Sequence, residues 1–234
     1  MRSVSIFYQV TARSGVLVGS TADVLGIGID KTTMRRRRLG EPERQEPIIP
    51  GSTLKGKIRN ECERILATLG HQVCHSPRAE TMCPHDAQVQ NPPCPVCQIF
   101  GGSGLQSRLF FGDAVSQAEA SMAPYLIRVQ AGVALSRKRR TAEDEQLYYT
   151  ERGVERLVYK GAIDGYLDDG LATQQVALVI AAIERLVAIG GSKSRGAGWT
   201  KSDVKSVAFD GREATVEELA KLREEGLQAW RDSK

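Results

Sequence analysis

The 234-residue sequence has no apolar run approaching the roughly 18 to 20 residues that a membrane span needs, and its first residues, MRSVSIFYQV, lack the charged-then-apolar layout of a signal peptide. Both absences point to a cytoplasmic protein that engages no membrane. No stretch repeats at a fixed period and no low-complexity linker divides the chain, so a single unit over residues 1–234 is expected. None of the glycine-rich stretches has the glycine-lysine-Ser/Thr spacing of a nucleotide-cradling loop at a strand-to-helix turn. GSKSRGAG also fails as a dinucleotide fingerprint, because it follows a predicted helix and precedes a predicted strand.

What the sequence does have is bunched charge and bunched sulfur. The formal net charge is only +4, but Arg35–Arg38 form one basic run and Arg137, Lys138, Arg139 and Arg140 another. Such runs suit a polyanion such as nucleic acid, although a solvated charged face has the same composition. Four of the five cysteines, Cys74, Cys83, Cys94 and Cys97, lie in one Pro-rich stretch, CHSPRAETMCPHDAQVQNPPCPVC. In a reducing compartment this points to metal rather than to disulfides. Zinc takes four soft ligands in a tetrahedron, and Cys94-Pro-Val-Cys97 would supply two thiolates from one tight turn. The step from Cys74 to Cys83 is not a standard knuckle, so His75 or His85 is an alternative ligand. Four thiolates leave no open position for water, so the expected zinc is structural.

Alternation of Val4, Ile6, Tyr8 and Val10 with Ser5, Phe7 and Gln9 predicts a first strand. A long Gly- and Arg-containing loop is expected from about Gly19 to Pro50. The following segment carries Leu54, Ile58, Cys62, Ile65, Leu66 and Leu69 at spacings of three and four, which predicts an amphipathic helix with Cys62 in the core. Beyond the cysteines, SRLFFGDAV, APYLIRVQAGVAL and ERLVYKGAIDGYL read as strands. A second helix is expected over about Thr173 to Ile189, with Val176, Ile180, Ile183 and Val187 inward and Gly190 as its stop. DVKSVAFD reads as a closing strand, and Thr215 to Glu218 as a capping box before a C-terminal helix bearing Leu219, Leu222, Leu227 and Trp230. This order predicts an α+β fold of ferredoxin-like or RRM-like type.

Three glycine-rich stretches remain: IIPGSTLKGKIR, CQIFGGSG and IGGSKSRGAGW. Each could expose backbone N–H groups to a phosphate, and each could equally be a tight turn. In the first, Pro50, Gly51 and Ser52 open a helix where backbone donors are free, and Lys55, Lys57 and Arg59 add charge.

Together these stretches resemble the RAMP superfamily of CRISPR systems. IPGSTLKGKIR is similar to its first-helix signature, CQIFGGSG to its Cys/Phe-Gly segment and GGSKSRGAGW to its glycine-rich loop. More narrowly, SGVLVGS followed by LGIGIDK, then RKRRTAEDEQLYYTERGV and YKGAIDGYL, resembles the Cas-seven group, the backbone subunit of type III effector complexes that polymerises along guide RNA. The motifs occur in the right order over most of the chain, and the resemblance breaks in the cysteine insertion and the last helix.

The resemblance implies a palm on an RRM-like sheet, a β-hairpin thumb within about residues 125–168 that pushes between bases, and a zinc-binding insertion over about 71–100. It implies RNA-backbone contacts from Ser52, Lys55, Lys57 and Arg59, from Arg137, Lys138, Arg139 and Arg140, and from Lys193 and Arg195, with Leu147 or Tyr148 wedged against a base. Guide-to-target pairing would read sequence, which suits a chain rich in Arg and Lys but only 6% aromatic. In target-cleaving members an aspartate in a Gly-x-Ile-Asp setting before the first helix is required. GIGIDK nominates Asp30, with Asp23 as its competitor. A carboxylate there could ligate Mg2+ or another divalent ion, or help a 2′-hydroxyl attack, while Asp after Gly is also a common turn residue. Lys31 and the Arg35–Arg38 run depart from the family pattern.

The implied partners are guide RNA, target RNA and other RAMP subunits, and the implied activity is endonucleolytic cleavage of complementary target RNA within a complex. A non-cleaving scaffold subunit is the main alternative. A guide-processing RAMP endoribonuclease relies on histidine chemistry, whereas His71, His75 and His85 all sit beside cysteines. A free-standing zinc-binding module would leave the palm-like order of elements unexplained.

Overall fold

The computed structural model describes residues 1–19, 29–38, 41–83 and 93–232. The chain runs through β1 (Arg2–Ala12), β2 (Arg35–Arg38), β3 (Glu41–Ile49), α1 (Gly51–Thr68), α2 (Pro95–Phe100), β4 (Leu109–Phe111) and β5 (Ala114–Ser116). It continues through β6 (Ile127–Leu135), β7 (Ala142–Gly153), β8 (Val158–Leu167), α3 (Ala172–Glu184), β9 (Thr200–Phe209), β10 (Arg212–Glu213) and α4 (Val216–Asp232). The large sheet has the order β10-β9-β1-β8-β5-β3-β2, with β4 also paired to β8; β6 and β7 form a separate hairpin. The pairings are antiparallel. The central order β9-β1-β8-β5, with α1 and α3 in the connections, is the ferredoxin-like arrangement of a mixed α+β fold.

The alternation in β1 buries Val4, Ile6, Tyr8, Val10 and Ala12 on one face. Against that face α1 sets Leu54, Ile58, Cys62, Ile65 and Leu66, and α3 sets Val176, Ile180 and Ile183, all buried. Each large side chain so buried contributes about 1.5–3 kcal/mol of apolar transfer, which is what holds α1 in place despite its poorly hydrophobic outer face. The capping box before α4 forms: Glu218 N–H donates to Thr215 Oγ1 at 3.2 Å, and Thr215 N–H donates to Glu218 Oε2 at 2.9 Å. Trp230 of α4 then donates its indole N–H to the Gln174 carbonyl at 3.0 Å, locking α4 onto α3.

Three expectations are corrected. The stretch after Gly19 is not loop throughout, because Arg35–Arg38 pair with β3 as a strand. Two buried carboxylates make that possible, Arg35 pairing with Glu151 at 2.5 Å and Arg36 with Glu46 at 3.5 Å. The second helix stops at Glu184, before the expected Gly190, because the chain is drawn onto β9: Thr200 Oγ1 donates to the Leu186 carbonyl at 2.9 Å and Thr200 N–H to that of Val187 at 2.9 Å. Val187, expected inward, is therefore 61% exposed. Finally, the hairpin ends at Gly153, and β8, inside the stretch expected to form the thumb, runs in the large sheet between β1 and β5.

Candidate metal centre and nucleic-acid interface

Cys94 immediately precedes α2 and Cys97 lies in its first turn, with Pro95 starting the helix, so the Cys-Pro-Val-Cys segment presents both sulfurs to one side. Cys74 follows α1, and Cys83 follows a single 3₁₀ turn at Ala79–Thr81. All four are buried, with their sulfurs within 4.8 Å of one another. Cys74 Sγ lies 3.3 Å from Cys97 Sγ and 3.6 Å from Cys94 Sγ. A tetrahedral ion with Zn–S bonds of about 2.3 Å keeps its ligands about 3.8 Å apart, so the cluster has the dimensions and chemistry to hold a metal ion such as zinc. Gly102 closes it from outside: a Cβ there would lie 3.3 Å from Cys97 Sγ and 3.0 Å from the Cys83 carbonyl oxygen. Hydrogen bonding from Cys97 lowers the Cys94 thiol to about 4, and the same contact, with burial, drives Cys97 above the ordinary thiol range. His75 is exposed and stands outside the group, and His85 lies outside the described residues.

Arg59, expected on the RNA backbone, is turned inward and is only 9% exposed. Its Nε donates to Glu63 Oε1 at 2.9 Å, Nη1 to the Gly101 carbonyl at 2.7 Å and Nη2 to Cys97 Sγ at 3.2 Å. Burial opposes its charge, but the bonds to Glu63 and Cys97 hold its pKa above the usual value. A guanidinium donating to a ligand sulfur offsets part of the negative charge that four thiolates leave around a divalent ion. Ser76 Oγ adds a second strut by donating to Glu63 Oε1 at 2.8 Å. Arg59 therefore ties α1 to the cysteine cluster.

The remaining basic residues of α1 divide between two flanks. Lys55 and Lys57 stand about 200° apart around the axis. Lys55 shares the flank of Arg59 and lines a cleft of about 420 Å³ with Gly101, Gly102 and Ser103. Partial burial, and then Arg59, lower its pKa. Lys57 turns to the other flank, where the neighbouring charge of Lys193 from the glycine-rich loop, and then partial burial, lower its pKa. Ser52 is exposed at the helix start. The first backbone donor there is not free, since Gly51 N–H donates to Asp113 Oδ1 at 2.8 Å. A carboxylate of the chain itself thus occupies part of the expected anion position, a residue that no local pattern in the sequence marks.

Lys193 and Arg195 sit on a single 3₁₀ turn between Ser192, at φ +56°, and Gly196, at φ +81°. The loop is stitched to the segment after β1, with Gly198 N–H donating to the Gly15 carbonyl at 2.9 Å and Gly191 N–H to that of Leu17 at 2.8 Å. Arg195 Nη1 reaches the hairpin, donating to Tyr148 Oη at 3.1 Å. Lys57, Lys193, Arg195 and Tyr148 are thus gathered where α1, the loop and β7 meet. Arg137, Lys138, Arg139 and Arg140 are elsewhere, exposed in the turn at the hairpin tip, where Arg139 pairs with Glu143 at 2.5 Å. The nine residues of β6 make an arm of about 30 Å. Leu147, on the paired strand β7, is 58% exposed.

Asp30 is bound to β7 in both directions: its N–H donates to the Tyr149 carbonyl at 3.0 Å, and its Oδ2 accepts the Tyr149 N–H at 2.7 Å. Lys31 continues this pairing, its carbonyl accepting Glu151 N–H at 2.9 Å. The carboxylate is exposed, with Oδ1 unpartnered among the described residues. Asp23 lies outside the described residues.

These elements define a ferredoxin-like protein with a projecting basic hairpin and a closed cysteine centre. A family model for the RAMP superfamily matches residues 14–201, more than half of the chain, and the chain belongs to that superfamily. Its members bind RNA and other subunits in CRISPR complexes, and some are endoribonucleases. A search of curated proteins returned no match. The matched span ends before α4, and no helix among the described residues is long and apolar enough to cross a membrane.

Proposed function

We propose that the chain is a guide-RNA-binding backbone subunit of a type III CRISPR interference complex, of the Cas-seven group, with structural zinc in its cysteine centre. The observation that carries the RNA reading is the gathering of Lys57 with Lys193 and Arg195, which share one turn, beside the hairpin's Tyr148, to which Arg195 donates. Two ammonium groups brought together by a helix and a loop repel each other in the free protein, and a phosphate between them converts that repulsion into attraction. Arg195 extends the same strip of donors, and the cations at the hairpin tip supply charge farther along the strand. The guide, the target and neighbouring RAMP subunits are the partners of this reading.

Cleavage of the target is assigned to Asp30. The paired bonds with Tyr149 hold its carboxylate against the hairpin and leave one oxygen for substrate. Asp30 would hold a divalent ion such as Mg2+, which would supply charge stabilisation at the scissile phosphate. The bond to Tyr149 also favours a second reading, in which Asp30 only anchors the hairpin of a non-cleaving scaffold. Asp30→Asn separates the two, because an amide oxygen still accepts the Tyr149 N–H. Complexes carrying it should retain RNA affinity and melting temperature and lose about 10²–10⁴-fold in cutting rate. Unimpaired cutting at every site by an Asp30→Ala complex would remove the catalytic assignment.

A further inference from the structure

At the foot of the hairpin, Arg128 of β6 lies directly across from Arg152 of β7. Like charges in cross-strand register destabilise a two-stranded ribbon, so this pairing works against the hairpin that carries it. No compensating partner is present among the described residues: neither side chain makes an ion pair or hydrogen bond, and Arg152 Nε is buried without an acceptor. A buried donor left unpaired is unfavourable. Both arginines line a mostly polar cleft of about 400 Å³, within the range of about 300–1,000 Å³ typical of ligand sites.

The cleft is walled by Gly15 from the segment after β1 and by Gly196 from the glycine-rich loop. Gly15 lies close over Arg152, since a Cβ there would approach the arginine's Cβ to 3.3 Å. Gly196 ends the same turn that carries Lys193 and Arg195, so the cleft adjoins the strip formed by Lys57, Lys193 and Arg195. Its acidic member is Glu155, which is exposed and makes no side-chain bond to either arginine.

We infer that Arg128 and Arg152 form a second anion site, which holds a backbone phosphate of bound single-stranded RNA at the foot of the hairpin. The inference rests on the RNA-binding reading and adds to it a point where the strand passes from the glycine-rich loop onto the hairpin base. A phosphate there pairs with the two guanidinium groups that line the cleft and relieves the repulsion across the register. Glu155 lowers the affinity of the cleft and so tunes how tightly the strand is held.

The test measures binding of a fluorescently labelled single-stranded RNA to the full chain over a salt series. Arg128→Gln with Arg152→Gln should weaken binding about tenfold and flatten the plot of log affinity against log salt by about 0.7 for each phosphate that is no longer neutralised. Arg128 is exposed, so Arg128→Gln alone tests the site without disturbing the fold and should give part of the same change. Glu155→Gln should tighten binding, an outcome that a folding defect does not imitate. Wild-type chain that binds RNA with a steep salt slope, matched in slope and affinity by all three variants, would overturn the second site and leave the RNA-binding reading intact. Wild-type chain that binds no RNA would overturn both.

Discussion

A Cys97→Ser chain is expected to be recovered mainly as insoluble protein, with well under one metal ion per chain in any soluble remainder. Wild-type protein purified without chelator should carry one zinc per chain. All four sulfurs are enclosed, and Cys97 contacts Cys74 Sγ at 3.3 Å and Arg59 Nη2 at 3.2 Å. Removal of that ligand opens the tetrahedron and leaves the Arg59 charge beside a weaker partner. Structural zinc contributes about 10–16 kcal/mol of apparent binding free energy in small zinc domains, against a net folding stability of about 5–15 kcal/mol for a whole protein. Even part of that deficit suffices to unfold the insertion and release α1 from its brace. Because the ligands bind as thiolates, acidification should release the metal, and a chelator should lower the melting temperature. Cys62 provides the control. It is buried in the core, away from the cluster, so Cys62→Ala should retain its metal and lose only packing. Wild-type protein with far less than one ion per chain, still soluble and cooperatively folded, would defeat the metal assignment.

The second large effect is expected at the paired lysines. Lys57→Glu with Lys193→Glu should weaken binding of single-stranded RNA by about 100-fold or more at low salt, since each charge-assisted phosphate bond is worth about 1.5–3 kcal/mol. Lys57→Glu alone should move two readouts in opposite directions. It replaces a repulsive contact with Lys193 by an attractive one, so the free protein should melt higher, while RNA affinity falls. Gly56 gives an independent probe of the same surface. It lies in α1 between Lys55 and Lys57, is exposed, and has nothing within 4 Å of a would-be Cβ, so the protein itself has no steric use for glycine there. Gly56→Ala should gain about 0.5–1 kcal/mol of stability and lose RNA affinity if a sugar-phosphate backbone packs on the helix. Unchanged RNA affinity in both Lys57→Glu and Gly56→Ala would show that RNA does not use this face.

Much of the framework is legible in the sequence because it depends on local periodicity. The period-two alternation of Val4 to Val10 and the three-and-four spacing of Leu54 to Leu66 each mark a buried face, and both are buried. The Thr215 to Glu218 capping box forms for the same reason, as its four residues specify their own geometry. Clustering in sequence likewise announced the cysteine centre. What the sequence did not reveal depends on partners brought from far along the chain. Arg59 has the same helical setting as a solvated residue until Cys97 and Gly101 arrive beside it. The Arg35–Arg38 run reads as loop because its charges are unfavourable in a strand, and it becomes one only opposite the buried Glu46 and Glu151. Asp113 at the start of α1, Lys193 beside Lys57 and Tyr149 beside Asp30 are likewise products of the fold. Sequence thus nominated the chemical groups of the candidate interface, whereas the fold decided which of them face one another.

The most direct test of the central claim is to purify the chain from its native cells under low salt, extract any bound RNA and sequence it. A guide-binding subunit should yield a discrete RNA population carrying CRISPR-repeat sequence at a fixed end, and the Lys57→Glu, Lys193→Glu chain should yield far less of it. Random cellular RNA fragments, in equal amounts from both chains, would contradict the account.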